Sequence, residues 1–415
     1  MSEQVTDTSW TSKSASGNVH ISHPTIPPGD PPATSEAGPS AEDNPVDVHG
    51  PYALSNAEGN WSRVQETLES MGYMLRPRYR PGWIGSWIGT KRRPESCEDS
   101  IGLVDHQITL DAVRMSDGSQ VLLKIWNQSD RDGPELSVLE YFSDPSRVND
   151  PQNHCIPLLD KLRPEGFSHA LDLILVEPLF RTWDEPPLVM VAEGLCFILQ
   201  VLEGLEYMHA HNVAHGDIHG GNILMDPRPI FPDGFHGAFT LNPYHRMPET
   251  RLRRFTRIQA PVKYYYIDFG SSSMFSSYEE RKPVRLTAAA YLPPEFFANK
   301  NAPLDPFKQD VFALGMTLIG HIRHRPGLHF TLTAFEGMID NNPDDRPTIA
   351  QVKTSFVRLL RSVKPRQMRG RIGWTWSSGH SLRQRLWEIG EYFRLLYHSY
   401  RFGLPTELFP ERPIV

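Results

Sequence analysis

The sequence predicts an α+β fold in which strands come first and helices dominate later. Three stretches carry that expectation. "ITLDAVRMSDGSQVLLKIW" (108–126) alternates apolar and polar residues, turns at Asp117-Gly118 and alternates again, the pattern of a β-hairpin. "HALDLILVEPLF" (169–180) is a second apolar strand run, ending at Pro178. From 189 the period changes, and "VMVAEGLCFILQVLEGLEYMHAHN" (189–212) reads as one long helix. Strands followed by helices, rather than alternating with them, is the α+β order.

Composition narrows the class. The 415 residues are 39% hydrophobic and 22% charged, ordinary values for a globular chain of two or three domains' worth of material. A net charge of −7 disfavours a general nucleic-acid binder, which shows a basic surplus. "KRR" (91–93) and "RLRRFTR" (251–257) are local exceptions, read as solvated faces or as an import or phosphate patch. Cys97, Cys155 and Cys196 are too few for a disulfide framework or a zinc site, so a reducing compartment is expected. The opening "MSEQVTDTSWTSKSAS" has no apolar core and is no signal peptide. The most apolar run (188–202) contains Glu193 and Gln200 and is too short to span a bilayer. The expectation is a cytoplasmic or nuclear protein with neither membrane nor nucleic acid as partner.

The remaining elements follow in order. Residues 1–57, rich in Ser, Pro, Gly and acids, cannot bury enough apolar surface to offset their ordering entropy and read as a disordered tail. Residues 58–99 read as a helical and irregular extension: Trp61, Val64, Leu68, Met71 and Leu75 recur at helical spacing, then "RPRYRPGWIGSWIG" breaks the pattern. "PELSVLEYF" (134–142) is a helix with Pro134 near its first turn. Residues 226–263 are too long and Pro-rich for an ordinary connection and read as an insert. "VKYYYIDFGSSS" (262–273) is β-rich, and "DVFALGMTLIGHI" (310–322) and "TIAQVKTSFVRLLRSV" (348–363) are apolar-periodic helices. Residues 365–415 form a helical extension whose Leu382, Leu386, Ile389, Phe393 and Leu396 share one side, expected to dock on the same domain.

Chemistry concentrates in "VAHGDIHGGNIL" (213–224), a loop crowded with His, Asp, Gly and Asn between apolar stretches. In chain order stand Lys124 ending a strand, Glu135 on the next helix (Glu140 being the alternative), Asp217 and Asn222 on this loop, and Asp268 ending "YIDFG". "LPPE" (292–295), "DVFALG" (310–315) and "DDRPT" (344–348) follow. This ordered set resembles the protein kinase superfamily over about residues 100–364. "RPGW" and the "FHG" insert followed by "KYYYIDFG" are similar to the kinase-like proteins of mushroom-forming fungi.

The resemblance implies a two-lobed protein-kinase-like fold, with a small β-rich N-lobe (100–178) and a large mainly helical C-lobe (179–364). It implies ATP and Mg²⁺ as cofactors and a protein substrate with Ser/Thr hydroxyls. Lys124, held by Glu135, would pair with the α/β-phosphates, and Asn222 and Asp268 would hold Mg²⁺. Asp217 would take or orient the proton of the attacking hydroxyl. Adenine would meet the backbone of Glu177 and Leu179, with Val176 behind it. Gly270 would permit the turn after Asp268. Glu295 and Arg346 would form a buried pair, and Asp310 would anchor the catalytic loop from below.

Three departures stand out. "CEDSIGLVDHQITLDAV" (97–113) carries only Gly102 where the family has a G-x-G-x-x-G lid. Gly216, not Arg, precedes Asp217, so an activation-loop phosphate has no partner there. His219 replaces the Lys two residues after Asp217; a neutral His can donate a hydrogen bond to a γ-phosphate but carries no fixed charge. His211, His215 and His219 recur every four residues, yet the intervening glycines argue against a helix that would align them on a metal. The sequence thus leaves three readings: a Ser/Thr protein kinase, a pseudokinase serving as a binding or scaffold module, and a small-molecule kinase of the aminoglycoside and choline type, which "HGDIHGGN" resembles.

Overall fold

Ser55 starts the fold. Its hydroxyl accepts from the Glu58 amide while the Glu58 carboxylate accepts from the Ser55 amide, a capping box that opens α1 (Asn56–Arg63). α2 (Gln65–Ser70) follows, then β1 (Tyr73–Leu75). The computed structural model describes residues 50–102, 108–127, 133–164, 171–236, 254–286, 289–373 and 382–409. The expected disordered tail therefore lies mostly outside the described residues, but its limit at 57 cuts through α1.

The small lobe is an antiparallel sheet. β2 (Thr109–Arg114) and β3 (Ser119–Asn127) form the hairpin, turning at Asp117 and Gly118, where Gly118 has φ +71°. α3 (Glu135–Ser143), β4 (Asp160–Leu162) and β5 (Leu171–Pro178) complete it, with described strand order β1-β2-β3-β5-β4. The boundary expected near residue 100 does not separate an extension from this lobe, because β1 pairs with β2 in the same sheet (Tyr73 with Arg114, Leu75 with Ala112). A three-residue strand is too short to show a period, which is why sequence patterning missed it.

Alternation along the strands gives the sheet two apolar faces. Val121, Leu123, Ile174 and Val176 join Trp61, Val64, Leu68 and Tyr79 in a cluster on the outer face. Leu173 and Leu175 face inward to Val138, Leu139 and Phe142 of α3 and the main core. The link from β1 to β2 carries three short 3₁₀ turns, Pro77–Tyr79, Pro94–Ser96 and Glu98–Ser100. The link is tied to α1 by a buried ion pair: Arg78 Nε donates to Glu58 Oε1 at 2.7 Å. Burial raises the Glu58 pKa, but Arg78 and Ser55 outweigh it and hold the carboxyl below its ordinary value.

β6 (Arg181–Thr182) leads into the large lobe, built around α4 (Val191–Ala210), most of whose residues are buried. β7 (Val213–Ala214), β8 (Ile223–Met225), β9 (Tyr264–Tyr266) and β10 (Ser273–Met274) form two small antiparallel ladders beside it. α5 (Pro294–Ala298), α6 (Pro306–Arg323), α7 (Ile349–Ser362) and α8 (Pro365–Met368) follow. Glu295 and Arg346 make a two-bonded pair, 2.8 and 2.6 Å, with Arg346 almost wholly buried. The result is a two-lobed α+β fold.

Of the insert, 226–236 and 254–263 are described. Phe235 and His236 reach back to the small lobe: the Phe235 amide donates to Gln120 Oε1 at 2.9 Å, and His236 Nε2 lies 2.8 Å from Glu98 Oε1. The C-terminal helix α9 (Leu382–Arg401) packs on the large lobe; of the expected face only Leu396 packs against the core, and the helix docks through the side that carries Leu395 and Ser399. Leu395 and Ser399 are its most buried residues, whereas Leu382, Leu386, Ile389 and Phe393 are exposed. Its docking side combines apolar contact through Leu395, Tyr392 and Leu396 with polar partners: Arg254 reaches Glu391 at 2.8 Å and Arg369 reaches Ser399 Oγ at 3.1 Å.

Candidate active site

Lys124 and Leu122 sit on the inward face of β3, opposite Leu175 and Glu177 of β5. The Lys124 ammonium bonds to the Glu135 carboxylate at the start of α3 and lies 3.4 Å from Asp268 Oδ1. Burial works against the charge, but Glu135, Asp268 and Glu177 outweigh it and hold the Lys124 pKa above its ordinary value. Glu140, the other candidate on α3, instead pairs with Lys161 at the surface.

The register corrects one expectation. Val176 is not behind the site: it belongs to the outer cluster with Trp61 and Leu123. Side chains alternate along a strand, so the residue sharing the inner face with Lys124 is Glu177. The Leu179 amide donates to the Gln120 carbonyl at 3.2 Å, so it is already engaged and does not wait for adenine. Burial, with Glu135 and Asp268 nearby, pushes the Glu177 carboxyl up to about 7, although Lys124 opposes the shift. The folded chain thus keeps a proton on Glu177 that the unfolded chain releases near pH 4–5. Stability contributed by this group is present at low pH, falls as pH rises towards 7, and is flat above. Glu177→Gln should remove that decline and stabilise the protein at pH 8 relative to wild type by on the order of 2 kcal/mol. Urea unfolding at pH 5 and 8 measures it, and an unchanged difference between the two pH values would refute the assignment.

The catalytic-loop candidates hang from α6. Asp310, with no exposed surface, accepts from the His215 amide at 2.7 Å and the Gly216 amide at 2.8 Å, while His209 Nε2 lies 3.0 Å from the same carboxylate. Gly216 has φ +83°, and a Cβ there would stand 2.1 Å from the Ser271 carbonyl oxygen. That explains the missing Arg: neither the backbone conformation nor the space admits a side chain. Asp217 Oδ1 accepts from the Ala290 amide at 2.7 Å, and the Asn222 amide group donates to the Asp217 carbonyl at 3.0 Å. His219 Nδ1 accepts from the Gly221 amide at 3.0 Å, which leaves the proton on Nε2, 3.8 Å from Asp217 Oδ2.

Asp268 joins this loop through β8 and β9. Ile223 pairs with Tyr266, and the Ile267 amide donates to the Asn222 carbonyl at 3.1 Å, so Asn222 and Asp268 leave the ladder at the same end. His215 bridges the two segments: Nε2 donates to the Ile267 carbonyl at 3.0 Å and Nδ1 accepts from the Asp217 amide at 3.3 Å. Burial holds the His215 pKa below its ordinary value, consistent with this neutral tautomer. The left-handed turn expected at Gly270 falls on Asp268 itself, at φ +63° and ψ +76°, a conformation Asp tolerates better than most residues.

The structure thus brings Lys124, Glu135 and Asp268 into direct contact and ties Asp217, His219 and Asn222 to them through His215 and Ile267. Sequence reasoning missed the inward carboxyl of Glu177; its signal is a Glu two residues after Leu175, directly following the apolar run Leu173–Val176. Asp268 and Asn222 are hard oxygen donors of the kind Mg²⁺ takes, and Asp268 keeps half its side chain open to solvent. Among the described residues no group of three or more His, Cys, Asp or Glu is placed to hold a metal. Mg²⁺ in a phosphate site needs only one or two carboxylates and draws its other ligands from water and phosphate, so the donor set fits. Among the described residues, no helix is long and apolar enough to cross a membrane.

Comparison with known proteins bears on this arrangement. The family model "Protein kinase domain" matches residues 188–380. A 100-residue stretch is 33% identical to protein kinase ORF74 of Ictalurid herpesvirus 1 (strain Auburn), covering 20% of this chain and 14% of that protein. A 137-residue stretch is 29% identical to the probable serine/threonine-protein kinase HAL5-like of Kluyveromyces lactis, covering 31% of this chain and 13% of that protein. The matches therefore span about one seventh of either relative. A solved structure of the Rad53 kinase domain and SCD2 in complex with AMPPNP aligns over 60% of this chain and 86% of that one, at 15% identity and a TM-score of 0.36. With Asp217 and Asn222 on a loop held by Asp310 and Asp268 closing β9, residues 188–380 carry these features in the segment that matches the protein kinase domain.

Proposed function

We propose that the protein is an ATP- and Mg²⁺-dependent kinase that phosphorylates Ser/Thr hydroxyls of a protein substrate. The observation that carries the reading is the contact of Lys124 with both Glu135 and Asp268, above a loop that presents Asp217. Lys124, held charged, would pair with the α- and β-phosphates. Asp268 and Asn222 would hold Mg²⁺, which supplies neutralisation of phosphate charge. Asp217 would orient the attacking hydroxyl and take its proton, while His219 Nε2–H would donate to a transferring phosphate oxygen. "LPPE", "DVFALG" and "DDRPT" build a platform suited to a polypeptide substrate.

A second reading, a nucleotide-binding or scaffold module with little turnover, is favoured by the Pro- and aromatic-rich β1–β2 link with its 3₁₀ turns and by the engaged Leu179 amide. The third, a small-molecule kinase, rests on "HGDIHGGN" alone. Full-length protein with labelled ATP, Mg²⁺ and myelin basic protein separates them. Label in protein that EDTA abolishes supports the proposal. Nucleotide binding without transfer supports the second reading, and label entering only a metabolite extract supports the third.

A further inference from the structure

Helix α9 docks on the large lobe by the side that carries Glu388, Glu391, Leu395 and Ser399 and turns a second apolar side to solvent. Glu388 lies 3.7 Å from Arg371, Glu391 takes Arg254 at 2.8 Å and Arg394 at 3.4 Å, and Leu395 and Ser399 are buried between them. On the opposite side Leu382, Leu386, Ile389, Phe393, Tyr397 and Tyr400 are 73, 61, 41, 61, 59 and 72% exposed. At about 100° per residue these six fall within an arc of roughly 80°, one continuous strip along the helix.

The strip is too large to be incidental. With aromatic side chains offering about 150–250 Å² each and aliphatic ones somewhat less, it exposes roughly 500–800 Å², at or above the about 300–600 Å² of the largest apolar patch of an ordinary monomer. A standard interface takes about 800 Å² from each partner. The strip also has an internal order that selects its occupant. Its N-terminal half is aliphatic (Leu382, Leu386, Ile389) and its C-terminal half aromatic (Phe393, Tyr397, Tyr400), and the halves are spaced symmetrically about position 391. Turned end for end, a second α9 sets Ile389 against Phe393, Leu386 against Tyr397 and Leu382 against Tyr400, each contact occurring twice as a two-fold axis requires. Gly390 lies beside the midpoint. A Cβ there would meet nothing within 4 Å inside the chain, so this helix-interior glycine, which costs about 1 kcal/mol relative to alanine, has no packing reason within one copy. Close approach of a second helix axis supplies one.

We infer that α9 is a self-association face and that two copies pair through antiparallel α9 helices crossing near Gly390. The inference does not depend on the catalytic reading. The full chain should sediment at twice 47.2 kDa at micromolar concentration. Phe393→Glu should weaken association by roughly 100-fold or more while keeping the helical far-UV spectrum, because each dimer would bury two unpaired carboxylates. The native cysteines Cys97, Cys155 and Cys196 are free and buried, so introduced ones report cleanly. Gly390→Cys should form a disulfide-linked dimer on oxidation. Leu382→Cys alone should not, but should cross-link when mixed with Tyr400→Cys. A wild-type chain that stays monomeric at about 100 μM overturns the inference, as does a dimer indifferent to Phe393→Glu or Leu382→Cys linking to itself. A monomer whose α9 strip binds vesicles of phosphatidylcholine and phosphatidylserine would overturn it in favour of a membrane surface.

Discussion

Asp217→Asn is expected to lower phosphoryl transfer by roughly 10³-fold, the usual scale for losing a positioned general base. The substitution is nearly isosteric. Asn keeps an oxygen for the Ala290 amide, which Asp217 Oδ1 accepts at 2.7 Å, and the main-chain carbonyl that Asn222 contacts is untouched. The loop should therefore stay in place, with an unchanged melting temperature and unchanged ATP affinity by calorimetry. What is lost is the carboxylate that would take the hydroxyl proton, and with it the anionic neighbour of His219 Nε2. Lys124→Met should also abolish transfer, but it leaves Glu135 and Asp268 without their shared cation, so here nucleotide affinity should fall too. An Asp217→Asn variant that transfers phosphate as fast as the wild type would sink the proposed role. Binding of ATP without turnover in both proteins would favour the scaffold reading.

Gly216→Ala should damage both fold and activity. A methyl group at this position would stand 2.1 Å from the Ser271 carbonyl oxygen and 2.8 Å from its carbon, main-chain atoms that cannot swing aside. The residue would also have to hold φ +83°, which costs an L-residue about 1–2 kcal/mol. Relief requires the loop to move, and movement breaks the Gly216 amide bond to Asp310. The expected loss is roughly 3 kcal/mol or more, read as a lower urea midpoint at unchanged slope. Gly216→Arg, which would restore the family's usual residue, should be worse rather than gain a phosphate switch. A Gly216→Ala variant with wild-type stability and turnover would show that the loop relaxes freely.

Much of this protein was legible in the residues themselves. The hairpin at 108–126, the long helix that became α4, and the ordered series Lys124, Glu135, Asp217, Asn222, Asp268 depend on local period and on residue type at fixed spacing, and both are written in the chain. Where patterning failed, the deciding interactions were remote. Nothing near "YML" announces that Tyr73–Leu75 edges a sheet, because its partner lies at 112–114. The absence of an arginine at Gly216 follows from Ser271, whose carbonyl packs over it from 55 residues away.

The chain by itself determined the order of strands before helices, the polar inventory of the catalytic loop and the apolar stripe of α9. Only the tertiary structure decided which way these face: Glu177 inward and Val176 outward, the left-handed turn on Asp268 rather than Gly270, and α9 docked through Leu395, Glu391 and Ser399 with most of its stripe left open. The physical reason is that a period fixes which residues share a side, whereas the choice of side is made by partners brought from far along the chain: Arg254 and Arg369 for Glu391 and Ser399, and the main core for Leu395.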